Sequence, residues 1–189
     1  MLNKNEIIAN KVIFCKFLRT VDREGIVELI DYLETCSDFF DAPASTSYHN
    51  NFDGGLCDHS LNVYEVAQRV ADAYNCNDAD SIILCALLHD LGKANYYVPN
   101  VLKSGNISAQ KPTKIDPTLL IKNHALRSLL LIEQFIDLTE DERVSILAHD
   151  GLYEYANKDM WNNPTKLMLT IHHSDLFASR FVETSSNNE

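Results

Sequence analysis

Apolar residues recur at intervals of three and four along most of this chain, and this spacing constrains its fold more than any other feature. The interval places apolar side chains along one face of an α-helix, where they can be buried against neighbouring helices. Glycine and proline are scarce, with 6 and 5 residues in 189. The pattern therefore predicts an all-α domain, built as a helical bundle.

Capping residues between the apolar segments indicate where the helices begin and end. Asp116 and Pro117 predict an N-cap and a first helical residue, and residues 139–142 predict a capping box. The expected helices cover about residues 5–20, 22–37, 57–74, 78–91, 116–135, 139–149 and 164–182. A long loop is expected over residues 39–55. Residues 93–115 are expected to be irregular or to form a small hairpin around residues 104–106.

The length of the chain favours a single domain. We expect residues 1–40 to form N-terminal helices that pack on a core of residues 50–182, followed by a frayed tail over residues 183–189. No apolar run approaches the roughly 20 residues that span a bilayer, and the N-terminus lacks the apolar core of a signal peptide. We therefore expect a cytoplasmic protein with no membrane partner.

The charge of the chain bears on its partners. A formal net charge of −11 argues against a broad surface for phosphate backbones, because such contacts need many lysines and arginines. We therefore expect no extended nucleic acid as a partner. A small anionic substrate can still bind where bound divalent metal ions supply the positive charge.

The five cysteines are scattered, odd in number and without a CxxC pair, which fits neither a disulfide framework nor a zinc ribbon. We expect them to be small buried hydrophobic residues. They are Cys15, Cys36, Cys57, Cys76 and Cys85. Cys57 lies two positions before His59, so a role next to a metal stays open for this thiol.

Several histidines and aspartates continue the apolar faces of the expected helices. These inward residues are His59, His89, Asp90, His124 and Asp175, which share expected helical faces with apolar residues such as Val63, Cys85, Ala86, Leu120 and Ile171. A lone inward histidine would most simply be a hydrogen-bonded core residue. Several on different helices indicate a metal site in the bundle core, since coordination gives all of them a partner at once. Imidazole and carboxylate ligands suit Zn, Fe, Mn, Ni or Co, which the sequence does not distinguish.

Three segments resemble the defining pieces of the HD-domain metal-dependent phosphohydrolases. They are GGLCDHSLNV (54–63), ALLHDLGK (86–93) and HHSDLFASR (172–180), in the order His, His-Asp and distant Asp. The resemblance covers roughly residues 50–182. It implies an HD-domain helical bundle in which long loops flank the metal-binding helices.

The resemblance also implies a set of metal ligands. His124 in KNHALRS and His149 in LAHDG match the two additional histidines of the subfamilies that bind two metals. The first ion would then take His59, His89, Asp90 and Asp175, and the second Asp90, His124 and His149. The implied cofactors are two divalent transition metal ions, with Asp90 as the bridge. In the alternative reading, His124 and His149 are surface or substrate-binding residues.

The implied reaction is cleavage of a phosphate ester or anhydride of a nucleotide or similar small molecule by a metal-activated hydroxide. Asp90 and Lys93 are the expected catalytic residues. Lys93 lies within one helical turn of Asp90 and is placed to contact the phosphate or to stabilise its charge. Alternatively, Lys93 is only a cation at a helix C-terminus.

The expected substrate-binding residues are Lys93, His49, Tyr97 and Lys103. Residues 91–115 contain four lysines and no acidic residue, which suggests a lid that recruits phosphates while Tyr96 or Tyr97 stacks on a base. A merely solvated loop is the alternative for this segment.

The sequence also predicts where four other polar residues lie. His172 is expected to contact Asp175 or to line the cleft, and His173 to be structural. Arg127 and Arg180 could reach an anion, but surface salt bridges are the expected setting for both.

Two other functions remain open from the sequence. The same ligand arrangement occurs in HD-fold di-iron oxygenases, and a non-catalytic nucleotide-binding module is the third reading. Apolar residues outside the metal core also allow a homo-oligomer without requiring one, for example Phe14, Phe17, Phe39 and Phe40.

Overall fold

The computed structural model describes residues 1–76, 78–151 and 158–185 and confirms the all-α fold. Its helices are α1 (Lys4–Leu18), α2 (Ile26–Thr35), α3 (Gly55–Tyr74), α4 (Ala79–Leu88), α5 (His124–Ile132), α6 (Glu140–Leu147), α7 (Lys166–Phe177) and α8 (Glu183–Ser185). Short 3₁₀ turns lie at Leu91–Lys93 and Met160–Asn162, and a π-helix at Ala178–Val182 joins α7 to α8. No helix in the described ranges is long and apolar enough to cross a membrane.

The expected hairpin between α4 and α5 is present. Strands β1 (Tyr97–Pro99) and β2 (Thr113–Ile115) pair antiparallel, with Val98 opposite Lys114. An additional bridge joins Val101 to Ile107 near the tip. Gly105 in the tip has a φ of 86°, a left-handed conformation that favours glycine.

The core is organised around α4, which is buried from Ser81 to Leu88. This helix packs against α1, α3, α6 and α7, so it is apolar on every side. Because the core surrounds α4, the two residues that follow it, His89 and Asp90, are also buried. The apolar run thus carries two polar side chains into the interior.

Aromatic residues of the N-terminal part belong to this same core. Phe14, Phe39 and Phe40 are buried, with ring centroids 5.0 to 5.6 Å apart, and Phe17 lies 4.7 Å from Tyr64. Phe14, Phe39 and Phe40 are therefore not available to a second copy of the chain, whereas Phe17 is only partly buried, and the homo-oligomer stays a prediction. The single-domain organisation, with residues 1–40 packed on the rest, stays a prediction, and α1 contacts α3 and α4 as it requires.

The helix expected from Asp116 begins later, at His124. The Asp116 carboxylate accepts hydrogen bonds from the backbone N–H and the hydroxyl of Thr118, at 2.9 and 2.8 Å, and so forms a local turn. Asn123 is the N-cap instead and accepts from the Leu126 N–H at 2.7 Å. Leu120 is 99% exposed, so the spacing from which His124 was predicted to face inward was not helical.

The last helix also differs from expectation at both ends. Its N-cap is Thr165, which accepts from the Met168 N–H at 3.1 Å, so the helix begins at Lys166 rather than at residue 164. The chain stays helical beyond Val182, and Glu183 is only 4% exposed. The expected frayed tail is therefore wrong at its first residue, while residues 186–189 lie outside the described part.

The capping box at the start of α6 is confirmed. Its glutamate, Glu142, is buried and also accepts hydrogen bonds from Arg23 at 2.8 and 3.1 Å and from Ser81 at 2.7 Å. One carboxylate therefore joins α6 to α4 and to the segment between α1 and α2.

A glycine controls the distance between the turn after Asp90 and α5. A Cβ atom on Gly92 would lie 2.1 Å from the His124 carbonyl oxygen and 2.6 Å from the Ser128 nitrogen. We expect Gly92→Ala to lower the free energy of unfolding by about 3 kcal/mol, because backbone would have to move. Gly105→Ala meets no atom within 4 Å and should cost about 1 kcal/mol for its positive φ alone. Urea unfolding of both variants measures these changes. Equal losses of unfolding free energy in the two variants would contradict this role of Gly92.

Candidate metal centre

Helices α3 to α7 bring the expected metal ligands to one place. His59 lies on α3, His89 and Asp90 follow α4, His124 begins α5, His149 follows α6, and Asp175 lies on α7. α4 and α6 end earlier than the sequence indicated, so His89, Asp90 and His149 lie at or beyond helix ends. All six side chains form a continuous cluster.

The first group of donors surrounds the Nε2 atom of His59. This nitrogen lies 3.2 Å from Asp175 Oδ1, 3.3 Å from His89 Nε2 and 3.6 Å from Asp90 Oδ2. His89 donates its Nδ1–H to the Ala86 carbonyl at 2.9 Å. Its Nε2 lone pair therefore faces the cluster.

The second group lies on the other side of Asp90. His149 donates its Nδ1–H to the Ile146 carbonyl at 2.7 Å, and its Nε2 lies 3.2 Å from His124 Nε2. Asp90 Oδ1 is 3.3 Å from His124 Nε2 and 3.5 Å from His149 Nε2. The two oxygens of Asp90 thus face different histidine pairs, as a bridging carboxylate would.

The donors fit divalent transition metal ions. Asp90 Oδ1 is buried and makes no hydrogen bond within the described part of the chain. An unpaired buried carboxylate oxygen is costly, and a cation would remove that cost. Imidazole nitrogens and carboxylate oxygens are the ligands that ions such as Zn, Fe and Mn accept.

The buried charges shift the pKa values of the cluster. Burial opposes ionisation of Asp90, but Lys93 and the neighbouring histidines outweigh it and hold the carboxyl pKa well below its usual value. Burial lowers the pKa of His89 to about 4 against the opposing charge of Asp90, so this imidazole is neutral at pH 7. A neutral imidazole and an ionised carboxylate are the forms that bind metal.

Lys93 is the closest cation to this cluster. Its Nζ lies 2.6 Å from Asp90 Oδ2, and its side chain is mostly buried. Burial would lower the pKa of Lys93, but the charge of Asp90 outweighs it and raises that pKa, so the ammonium group stays charged.

Two acidic residues of the site escaped the sequence analysis. Asp150 Oδ2 lies 3.1 Å from His124 Nε2, and burial, which would raise its pKa, is outweighed by His149 and His124, which lower it to about 2. Glu183 contacts His59 and His49 through its two oxygens, at 2.8 and 2.7 Å. Asp150 directly follows the predicted ligand His149, and this neighbour could have indicated it from the sequence. Glu183 lay in the expected frayed tail and had no such signal.

A cleft of about 470 Å³ opens over the cluster. Its lining includes Lys93 and His49, as expected, and also His172 and Arg180. His172 donates to the His149 carbonyl at 2.7 Å. Arg180 was expected in a surface salt bridge, but its side chain lines the cleft instead.

Other expected substrate contacts lie elsewhere. The Tyr97 hydroxyl donates to the Ala44 carbonyl at 3.3 Å, and burial raises the pKa of Tyr97 to about 12. Lys103 is exposed in the hairpin, and neither residue is among those that line the cleft. The Tyr96 hydroxyl bonds the Lys122 carbonyl, and its ring faces Arg127, whose Nε donates to the Gly92 carbonyl at 2.8 Å. Arg127 is therefore structural, and the Tyr96 ring already has a stacking partner.

The cysteines contribute no donor to the metal clusters of the described residues. Cys15, Cys57 and Cys85 are buried as expected, whereas the expectation is wrong for Cys36, which is exposed, and Cys76 is half-buried. Burial raises the pKa of the Cys57 thiol, and this thiol is not among the donors of the clusters around His59.

Comparison with known proteins decides the family. The model of the HD domain matches residues 56–156, which is more than half of the chain. The chain belongs to the HD domain family. The resemblance found in the motifs is thereby confirmed, and membership implies binding of divalent metal.

Curated relatives of this HD domain include nucleases and a phosphodiesterase. The 3′-5′ exoribonuclease YhaM of Bacillus licheniformis is 41% identical over 138 residues, covering 70% of this chain and 39% of the relative. YhaM of Listeria innocua is 27% identical over 133 residues, covering 67% and 38%. The dihydroneopterin 2′,3′-cyclic phosphate phosphodiesterase of Methanocaldococcus jannaschii is 34% identical over 102 residues, covering 50% and 38%.

The chain spans about two fifths of the length of these relatives. No solved structure matches it significantly. The names of the relatives agree with the expected phosphoester hydrolase. The expectation that extended nucleic acid is excluded is not supported, because YhaM is named as an exoribonuclease.

Removing the bridging carboxylate tests the cluster as a metal site. Asp90→Asn keeps the shape of the side chain but removes the charge that faces both histidine pairs. We expect its affinity for Mn²⁺, measured by titration calorimetry on metal-free protein, to fall by roughly 100-fold or more, above the loss typical of outer-shell substitutions. Glu65→Gln, which neutralises an exposed carboxylate on α3, is the control and should bind like the wild type. If Asp90→Asn binds Mn²⁺ as tightly as the wild type, the cluster around Asp90 is not the metal site.

Proposed function

We propose that this HD domain is a metal-dependent phosphohydrolase that cleaves a phosphoester or phosphoanhydride bond of a nucleotide or similar small molecule. The observation that carries the proposal is the position of Asp90, whose two oxygens face separate histidine pairs beneath an open cleft. One ion would be held by His59, His89, Asp90 and Asp175, and a second by Asp90, His124 and His149. Asp150 is near enough to His124 to join the second set.

The chain's own residues prepare this site for an anionic substrate. When bound, the ions would lower the pKa of a water molecule and offset the charge of the phosphoryl group. Lys93 holds one oxygen of Asp90 at 2.6 Å and so orients the carboxylate between the histidine pairs. Lys93 and Arg180 both line the cleft and present positive charge to a phosphate there.

The cleft and the relatives support a phosphodiester of nucleotide size. A volume of about 470 Å³ is within the range of small-molecule sites. Both kinds of relative carry names that describe cleavage of phosphodiester bonds. We therefore place phosphodiesters before monoesters as candidate substrates.

A second candidate is the 3′ end of RNA, which the exoribonuclease names of several relatives favour. The net charge of −11 weighs against contacts with a long phosphate backbone. A terminal nucleotide in the cleft needs few such contacts, so this substrate stays open.

Hydrolysis assays decide between these functions. We expect the wild type with Mn, Co, Ni, Fe or Zn to hydrolyse at least one of a mononucleotide, a 2′,3′-cyclic nucleotide and a short RNA. Asp90→Ala should be inactive, and Glu65→Gln should match the wild type because its carboxylate is exposed. Absence of hydrolysis with every metal would refute the proposal. O₂ uptake by iron-loaded protein with a mixed-valent EPR signal would instead support the di-iron oxygenase reading.

The Lys-rich hairpin remains a proposed recruiting surface rather than a wall of the cleft. Lys103 and Lys111 are exposed, and Lys114 lies on β2. Replacing all three by Gln should raise KM roughly tenfold with kcat unchanged, since each exposed charge pair contributes about 0.5 kcal/mol. Steady-state kinetics at low and high salt measure this effect, which should shrink as salt screens the charges.

The control for the hairpin variant removes the same charge elsewhere. Lys4, Lys16 and Lys166 are exposed on α1 and at the start of α7. If their replacement by Gln raises KM as much, the effect comes from net charge, and the hairpin is only a solvated loop.

A further inference from the structure

A buried glutamate near the end of the described chain joins two histidines of the site. Glu183 Oε1 accepts a hydrogen bond from His59 Nδ1 at 2.8 Å, and its Oε2 lies 2.7 Å from His49 Nδ1. Asn62 also donates to Oε1, at 3.2 Å. Both oxygens of a nearly inaccessible carboxylate are thus committed to residues around the cleft.

The π-helix between α7 and α8 explains why Glu183 reaches His59. Glu183 lies eight residues after Asp175, and in an α-helix this separation would turn it by about 80° beyond two full turns. The π-helix at Ala178–Val182 takes an extra residue into its turn, which offsets about one 100° step. Glu183 therefore returns to within about 20° of the face of Asp175. The two carboxylates contact the two nitrogens of one imidazole, at 2.8 and 3.2 Å.

His59 needs such a partner because its helix offers none. His89 and His149 donate their Nδ1–H groups to the carbonyls of Ala86 and Ile146, three residues earlier, at helix ends where carbonyls are free. His59 lies within the second turn of α3, where the helix itself uses the preceding carbonyls. An acceptor for its Nδ1–H must come from elsewhere in the fold.

We propose that Glu183 is a positioning residue of the metal centre, which fixes the Nδ1–H tautomer and ring plane of His59 and holds His49 beside the cleft. This inference rests on the proposed metal-binding function of the cluster. With its Nδ1–H held by Glu183, His59 points its Nε2 atom toward Asp175 and His89. Nε2 is the atom that this imidazole would offer to a metal ion.

Glu183 has an alternative role as a metal ligand. Donor atoms of His49, His59 and Glu183 lie within 4.8 Å of one another and would themselves suit a metal ion. In that arrangement Glu183 would be a ligand, and its loss would remove one bound ion rather than weaken the others. The two roles therefore predict different metal stoichiometries.

Two substitutions separate the functions of the carboxylate. Glu183→Met fills a similar volume, and its thioether is only a weak hydrogen-bond acceptor. Glu183→Gln keeps one acceptor for His59 but must donate its N–H to His49. Glu65→Gln is the matched control, since it removes a carboxylate that is exposed on α3. Circular dichroism establishes that each variant is folded.

The first measurement uses metal-free protein and ¹⁵N imidazole NMR. We expect Nδ1 of His59 to carry a proton in the wild type, because Glu183 accepts it, and Glu183→Met to show a mixture of the Nδ1–H and Nε2–H tautomers at that ring. In Glu183→Gln, His59 should stay near wild type while the His49 resonances shift. Unchanged resonances of both histidines in Glu183→Gln would overturn the proposal, even if Glu183→Met fails to fold.

The second measurement is calorimetric titration with Zn²⁺. We expect Glu183→Met to bind the same number of ions with roughly 10- to 100-fold lower affinity, and Glu183→Gln to lie between it and the wild type. Affinity within twofold of wild type in Glu183→Met, or loss of one whole ion, would overturn the positioning role. If the wild type binds no Zn²⁺ or Mn²⁺, the proposed metal-dependent function fails, and the metal-free NMR result still decides whether Glu183 fixes His59.

Discussion

The buried carboxylate of Asp90 is the constraint on which the rest of the site depends. It follows an apolar helix that the core surrounds, so its charge cannot be met by water. Lys93 meets one oxygen at 2.6 Å, while the other has no hydrogen bond among the described residues and faces His124 and His149. A buried charge persists only with such compensation. The surrounding helix ends are arranged to provide it.

Three histidines of the centre are oriented by acceptors on their outer side. His89 and His149 use carbonyls of their own helix ends, and His59 uses Glu183 from the other end of the fold. In each case the outer hydrogen bond directs the Nε2 atom inward. The proposed chemistry therefore depends as much on where helices end as on the donor residues themselves.

The start of α6 was predicted correctly from the sequence, because its capping box is formed by two side chains only three residues apart. It failed for α5, because the Asp116 carboxylate accepts a hydrogen bond from Thr118 in a local turn, and Asn123 caps the helix instead. His124 nevertheless reached the site that the motifs implied. Its position follows from the contact between α5 and the Gly92 turn, which the apolar spacing could not reveal.

The sequence by itself indicated the helical class, the HD motif and, through that motif, six expected donors, because apolar periodicity and motif spacing are local properties. Only the tertiary structure decided that Asp150 and Glu183 join them and that Arg180 lines the cleft. The same structure kept Tyr97 and Lys103 out of the cleft lining. Glu183 shows the reason most clearly: a π-helix changes its helical phase, and its partners are 124 and 134 residues away in sequence. Contacts of that range depend on how the helices pack, which no local pattern records.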